Sequence, residues 1–416
     1  MKRAGPFIVT ADAYSLLNAE AVRVRAHRML ELGLNCELPH FRVDLGRLDA
    51  VVDLVLTATR KAYPDFDVPF HSRWRHFVVG GTDRWVALAD ANGWRDEKAR
   101  ARAEFDLAMV SVFLDAGAGA AWRYRDPLTG AAIGRSEGLA LASLDMFASG
   151  VFSANDDERL RADAAALERL TVADLRRGFQ IADNNPLVGL EGRIGLLRRL
   201  GEQVASSYRI FARNDTPRPG GLFDHLAAMA EGGSLAAPTI LSELLRQLGQ
   251  IWPSRLMLDG IPLGDCWRHP ALTTDDTTSG LVPLHKLSQW LTYSLIEPLQ
   301  RAGLQVTDID GLTGLAEYRN GGLFVDAGVL ALRDEADAQR EHEVSSPLVV
   351  EWRALTVALL DRLADLLRRR TGLDAVSLPL AKILQGGTWV VGREMAFARR
   401  SDGSPPVKVT SDGTVF

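Results

Sequence analysis

Residues 12–33 read DAYSLLNAEAVRVRAHRMLELG, and their periodicity sets the fold class. Leu16, Ala19, Val22, Ala26, Met29 and Leu30 recur at spacings of three or four, and Gly33 closes the run. That period gathers apolar side chains on one face of a helix, whereas a half-buried strand would alternate every second residue. The same pattern returns from Leu48 to Tyr63, where Pro64 ends it. Asp96 opens a further helix that carries Phe105, Met109, Val112 and Phe113 on its apolar side and closes at Gly117. Thr171 is a fitting N-cap for a short helix ending at Gly178. Helical patterns follow at about 190–212, 236–250, 283–302 and 347–371. Strand-like runs are few. Trp389–Arg399 and Val407–Phe416, beside turn signals at Ser401-Asp402-Gly403 and Ser411-Asp412-Gly413, predict a small C-terminal β-ribbon. The expected fold is mainly α. It is either one domain over 1–416 or two helical lobes, 1–213 and 283–416, joined by a loop-rich segment 214–282.

A chain of 416 residues with 47% apolar and 24% charged residues can bury a sizeable core. Its formal charge of −5 argues against general nucleic-acid binding, which leaves a basic footprint. Cys36 and Cys266 stand far apart without a CxxC pattern, so neither a disulfide framework nor a cysteine-rich zinc site is expected. The opening Met1–Pro6 lacks the apolar core of a signal peptide. The best apolar runs are interrupted by Asp115 and Asp145, leaving no stretch of the roughly 20 residues that a spanning helix needs. A cytoplasmic protein with no membrane or nucleic-acid partner and no cofactor is expected.

Three groups of residues invite a chemical reading. Gly134-Arg135-Ser136-Glu137-Gly138 matches the GxSxG nucleophile elbow, but Thr129–Ala132 before it is a poor strand, and a helix-start turn explains it better. His71-Ser72-Arg73-Trp74-Arg75-His76 gathers cationic groups around an indole. It is either a phosphate or carboxylate clamp, because guanidiniums grip oxyanions in pairs of bonds, or a solvated turn after Pro69. No HExxH or acidic partner at ligand spacing accompanies the histidines, so no metal site is expected. The densest group runs from Pro283 to Arg353. Lys286 and Gln289 start a helix carrying Trp290, Tyr293, Leu295 and Leu299, followed by Asp308, Asp310, Thr313 and Glu317-Tyr318-Arg319-Asn320-Gly321-Gly322. A lysine at a helix start feels the positive end of the dipole, which favours its neutral form and its use as base or nucleophile. The alternative is a solvent-facing loop with surface ion pairs.

These stretches also carry a resemblance. His71–Phe77, Arg135–Leu139, Gly311–Gly322 and Leu380–Trp389 look like uracil catabolism protein 4, and the likeness runs from about Ala21 to Phe416. The resemblance implies a part in degrading uracil by way of its ribonucleotide, with urea as an end product. Over 283–370 the chain also resembles queuosine salvage proteins, N-glycosidases of a nucleoside 5′-monophosphate. Lys286 and Gln289, Asp308-Ile309, Leu312-Thr313, Glu317-Tyr318-Arg319 and Glu351-Trp352-Arg353 follow that family's order, with Glu317 standing where the family has Asp. This second resemblance implies a helical fold similar to helix-hairpin-helix DNA glycosylases. It also implies an N-ribosyl hydrolase that splits a ring-opened uridine monophosphate product, ribosylurea phosphate, into urea and ribose phosphate. On that reading Glu317 opposes the sugar's developing positive charge or activates water. Lys286 is nucleophile, acid–base group or phosphate contact. Asp308 and Asp310 orient hydroxyls or water, while Gln289, Tyr318, Arg319 and Arg353 complete the substrate site. His71, Arg73 and Arg75 meet the phosphate. An amide or ureido hydrolase using Ser136 or a metal, and a non-catalytic partner of uracil-degrading enzymes, are the rival readings.

Overall fold

The computed structural model describes residues 11–115, 117–119, 121–212, 216–252 and 256–410, and the chain is mainly α-helical. The helices that shape the site are α1 (Ala19–Leu34), α2 (Leu48–Ala62), α3 (Glu97–Phe113), α4 (Arg135–Ala148), α5 (Lys286–Arg301), α6 (Tyr318–Asp326), α7 (Pro347–Thr371) and α8 (Trp389–Arg399). Helices at Leu190–Ser206 and Ala237–Leu248 fall where periodicity placed them, and Thr171 caps Val172–Gly178 through a complete capping box with Asp174.

Local chemistry sets several ends. The first helix expected from residue 12 onward is interrupted: Asn18 accepts a bond from the Ala21 N–H at 2.8 Å and restarts the helix as α1. Gly33 does not stop α1. It sits buried where a Cβ would lie 2.7 Å from the Val43 side chain, so glycine serves close packing there. Helix α7 begins with Ser346 and Pro347 and ends at Gly372 in the left-handed region, φ 72°. With 25 residues it runs about 37 Å at 1.5 Å per residue and forms the central pillar.

One apolar cluster draws on both halves of the chain. Helix α1 packs along α7, α3 along α5, α6 against α8, and α2 against the turn at Leu384–Thr388. Strands are short and, among the described residues, pair only in twos. Examples are Phe41–Val43 with Leu330–Leu332 (antiparallel) and Ser234–Ala236 with Gln305–Thr307 (parallel).

The C-terminal ribbon needs correcting. Trp389–Arg399 is helix α8, burying Val391, Gly392 and Ala396 against α6; packing overrides the β-propensity of Trp-Val-Val. Lys408–Thr410 does form a strand, paired in parallel with Glu341–Glu343, and residues 411–416 lie outside the described residues. Among the described residues no helix is long and apolar enough to cross a membrane.

Candidate active site

Helix α5 enters the site under unusual restraint. The strand Leu281–Pro283 pairs with Cys266–Arg268, and the turn between strand and helix puts His285 in the left-handed region, φ 46°. A non-glycine residue held there costs energy and needs surrounding support. Asp265 supplies it. Its backbone oxygen accepts from Leu284 N (2.9 Å) and His285 N (3.1 Å), and its carboxylate accepts from Lys286 N (2.9 Å) and the Trp267 indole (2.7 Å). Arg353, buried on α7, grips both oxygens of the same carboxylate at 2.8 Å each. Burial opposes the Asp265 charge, but the guanidinium and these N–H donors prevail and hold its carboxyl well below the usual carboxylate range.

Arg353 also donates from Nε to the Ala316 carbonyl at 3.1 Å, one residue before Glu317. Gln289 adds a second pin. Its amide oxygen accepts from Thr313 N at 2.9 Å and its amide nitrogen donates to the Thr313 hydroxyl. The loop carrying Glu317 is thereby fastened to the helix carrying Lys286 at two points. Glu317 then caps α6, with one carboxylate oxygen accepting from Arg319 N and the other from Asn320 N, both at 2.6 Å. The helix end fixes the carboxylate's orientation.

Lys286 and Glu317 line one cavity of about 80 Å³, together with His71, His76, Asp115, Arg135, Ser136, Trp290, Tyr318, Arg319 and Trp389. Among the described residues the lysine and glutamate form no ion pair, and the Lys286 ammonium lies 5.9 Å from the Trp290 ring centre. Burial pushes the Glu317 carboxyl up, against the pull of its two backbone donors and Lys286; burial pushes Lys286 down, against the pull of Glu317. His71 bonds the Gln385 amide oxygen through Nδ1 at 3.0 Å, and burial lowers it to about 4, so it is neutral near pH 7. Burial and the nearby Arg73 likewise keep His76 neutral. Gln385 sits in a single π-helical turn, Leu384–Thr388, which delivers Trp389 to the cavity. A Cβ at Gly387 would lie 2.7 Å from the Val55 carbonyl, so the turn can press on α2 only as glycine.

The remaining expected residues go elsewhere. Arg73 is fully buried, bonded to Asp115 and Ser111, and Arg75 is bonded to Glu297 at 2.7 Å. His71–Phe77 is therefore neither a solvated turn nor an arginine clamp but a segment docked on α5. Pro298 lacks the N–H that would satisfy the Ser294 carbonyl, and the Trp74 indole takes its place at 2.7 Å. Asp310 accepts from Arg368 (2.6 Å) and Leu380 N (2.7 Å), while Asp308 borders a separate hollow beside Asn18 and Arg23. Gln289 and Arg353 are buried braces behind the wall. Of the expected residues the cavity thus gathers Lys286, Glu317, Tyr318, Arg319 and His71, and not Asp308, Asp310, Gln289, Arg353, Arg73 or Arg75.

Sequence reasoning passed over Asp265, Asp115, Arg135 and Gln385. Asp115 did leave a signal as a lone carboxylate interrupting an apolar run; it holds Arg73 at 2.7 Å and accepts from the Ser136 hydroxyl at 3.0 Å. A larger hollow of about 590 Å³ lies beside Trp94, but its Arg102, Arg161 and Arg218 are each committed to carboxylates. Among the described residues no three His, Cys, Asp or Glu side chains are placed to share a metal ion.

Comparison with known proteins agrees over nearly the whole length. The family described as "Protein of unknown function (DUF1688)" matches residues 15–416. Protein urg3 of Schizosaccharomyces pombe is 39% identical over 98% of this chain and 100% of its own. Uracil catabolism protein 4 of Lachancea kluyveri is 37% identical, covering 91% of this chain and 92% of its own. The chain belongs to this family, DUF1688, alongside urg3 and uracil catabolism protein 4.

Proposed function

We propose that this protein acts in uracil catabolism as an N-ribosyl hydrolase, cleaving the C1′–N bond of ribosylurea 5′-phosphate to give urea and ribose 5-phosphate. The relative named uracil catabolism protein 4 supports the pathway. The observation that carries the chemistry is the convergence of Lys286 and Glu317 on one cavity, each with its charged form opposed by burial. Leaving of the ureido nitrogen builds positive charge on the sugar, which the Glu317 carboxylate opposes. Water then bonds to C1′, and its proton passes to Glu317. The departing nitrogen takes a proton from the Lys286 ammonium. Burial raises one pKa and lowers the other, which narrows the gap across which the proton returns from Glu317 to Lys286 after each turnover. Incubation with ribosylurea 5′-phosphate, following urea and ribose 5-phosphate together, tests the reading. Consumption of substrate with ammonia and no urea would replace it with a ureido hydrolase, the reading that Ser136 at the same cavity favours. Saturable binding without any turnover would leave a non-catalytic partner.

A further inference from the structure

Among the described residues, two guanidiniums on the cavity wall form no ion pair with a carboxylate. Arg319 is only 4% exposed, yet its Nε has no hydrogen-bond partner, and its one bonded nitrogen meets the Gly403 carbonyl at 3.3 Å. Arg135 donates to the neighbouring carbonyl, Asp402, at 3.2 Å. Neither guanidinium forms an ion pair among the described residues. Each rests on an aromatic ring instead, Arg319 at 5.1 Å from the Tyr318 centre and Arg135 at 5.3 Å from that of Phe397. Stacking holds the planes while leaving N–H edges open, an arrangement suited to oxyanions. Arg135 is also held at φ 57°, a conformation bulky residues rarely adopt.

We propose that Arg135 and Arg319 form a subsite for the phosphate group of a sugar phosphate monoester. Once Arg73 and Arg393, which pair with wall carboxylates from outside the cavity, are counted, the charge tally fits that ligand. Asp115 is matched by Arg73 and Glu137 lies 3.6 Å from Arg393, while Lys286 and Glu317 offset one another and both histidines are neutral. Two arginine charges are left over, and a phosphate monoester carries about −1.5 to −2 near pH 7. Helix α4, 14 residues long, opens its N-terminus on the same wall and adds its dipole. Burial, then the neighbouring Arg319, lowers the Arg135 pKa, as expected of like charges awaiting an anion.

The assignment of a sugar phosphate rests on the proposed function, but its test reads binding without turnover. The full chain is titrated calorimetrically with ribose 5-phosphate, inorganic phosphate and ribose, in wild type, Arg135→Gln, Arg319→Gln and Arg75→Gln. Wild type should bind both phosphates and not ribose. Arg135→Gln, at a half-buried position, should weaken ribose 5-phosphate about 10- to 100-fold, the loss typical of a charged hydrogen-bonded contact. A folded Arg319→Gln should do the same, and Arg75→Gln should bind as wild type does. Equal affinity in wild type and Arg135→Gln, or equal binding of ribose and ribose 5-phosphate, overturns the subsite. Arginine-dependent binding in a protein that cleaves no C1′–N bond upholds the subsite and removes the hydrolase. Cleavage at the wild-type KM by Arg135→Gln does the reverse.

Discussion

Two polar segments fasten to helix α5 near its opposite ends, and both look alike in composition. His71–Phe77 docks near the C-terminal end, where Ser72 and Arg75 bond Glu297 and Arg73 N bonds Ser294. Leu312–Gly322 docks near the N-terminal end through Gln289 and Thr313. In the first segment both arginines meet carboxylates and the indole completes a helix broken by proline. In the second, Arg319 forms no ion pair among the described residues, and Glu317 faces a cavity it shares with Lys286. Density of charge in a sequence therefore does not separate a brace from a site; the accounting of partners does.

The sharpest way to break this contrast is Glu317→Gln, which keeps shape and removes charge. The proposed mechanism requires turnover to fall by about two to four orders of magnitude, with substrate affinity far less affected. Because Glu317 also caps α6, folding must be checked first, by circular dichroism and thermal unfolding. Glu317→Asp keeps both the charge and a good cap and should recover part of the activity. A folded Gln variant with near-normal turnover sinks the mechanism.

The brace side of the comparison predicts a stability effect. Asp265→Asn leaves Arg353 buried without its anion, and breaking such a pair by removing one partner costs about 3–5 kcal/mol. Arg75→Gln breaks a partly exposed pair with Glu297 and should cost at most about 1 kcal/mol. Denaturant unfolding of the two variants measures the difference. Equal midpoints would mean that the Asp265–Arg353 clamp does not hold the two loops.

A smaller effect sharpens the site side. Glu317 works as carboxylate and is protonated as pH falls through a pKa raised by burial, so the acid limb of kcat should lie above the ordinary glutamate value of about 4.3. Lys286 works as ammonium and loses its proton as pH rises through a lowered pKa, so the alkaline limb should lie below the ordinary lysine value of about 10.4. The limbs belong to the pair rather than to either residue. A pH–rate profile whose limbs sit at both ordinary values would place the two groups outside the reacting centre.

Much of this was legible beforehand because its signals are local. Helix periodicity and the Thr171 cap follow from short spacings, while Lys286 and Glu317 are joined through the resemblance to queuosine salvage proteins and do line one cavity. What could not be read depends on long-range pairing. Arg353 and Gln289 look like ligands in sequence, and only Asp265 and Thr313, distant in the chain, turn them into braces. Asp310 is likewise absorbed by Arg368, whereas Arg135 forms no ion pair among the described residues and rests on Phe397. Trp389–Arg399 misleads because β-branched residues suit a strand until packing on α6 decides otherwise.

The smallest expected effect concerns Ser136, which shares features with both kinds of segment. It lines the cavity, and the two-residue strand Ala132–Ile133 precedes its helix, so the strand–turn–helix order of a nucleophile elbow is present in miniature. Two details argue against a nucleophile. The left-handed residue of the turn is Arg135 rather than the serine, and the Ser136 hydroxyl donates to Asp115 instead of to an imidazole. A serine whose proton is held by a carboxylate that Arg73 already neutralises lacks the base that activation needs. Ser136→Ala should therefore leave C1′–N cleavage within several-fold of wild type and cost about 1 kcal/mol of stability through one lost hydrogen bond. Loss of activity by three orders of magnitude or more in a folded variant, together with ammonia as the wild-type product, would move Ser136 from the brace to the chemistry and make the protein a ureido hydrolase.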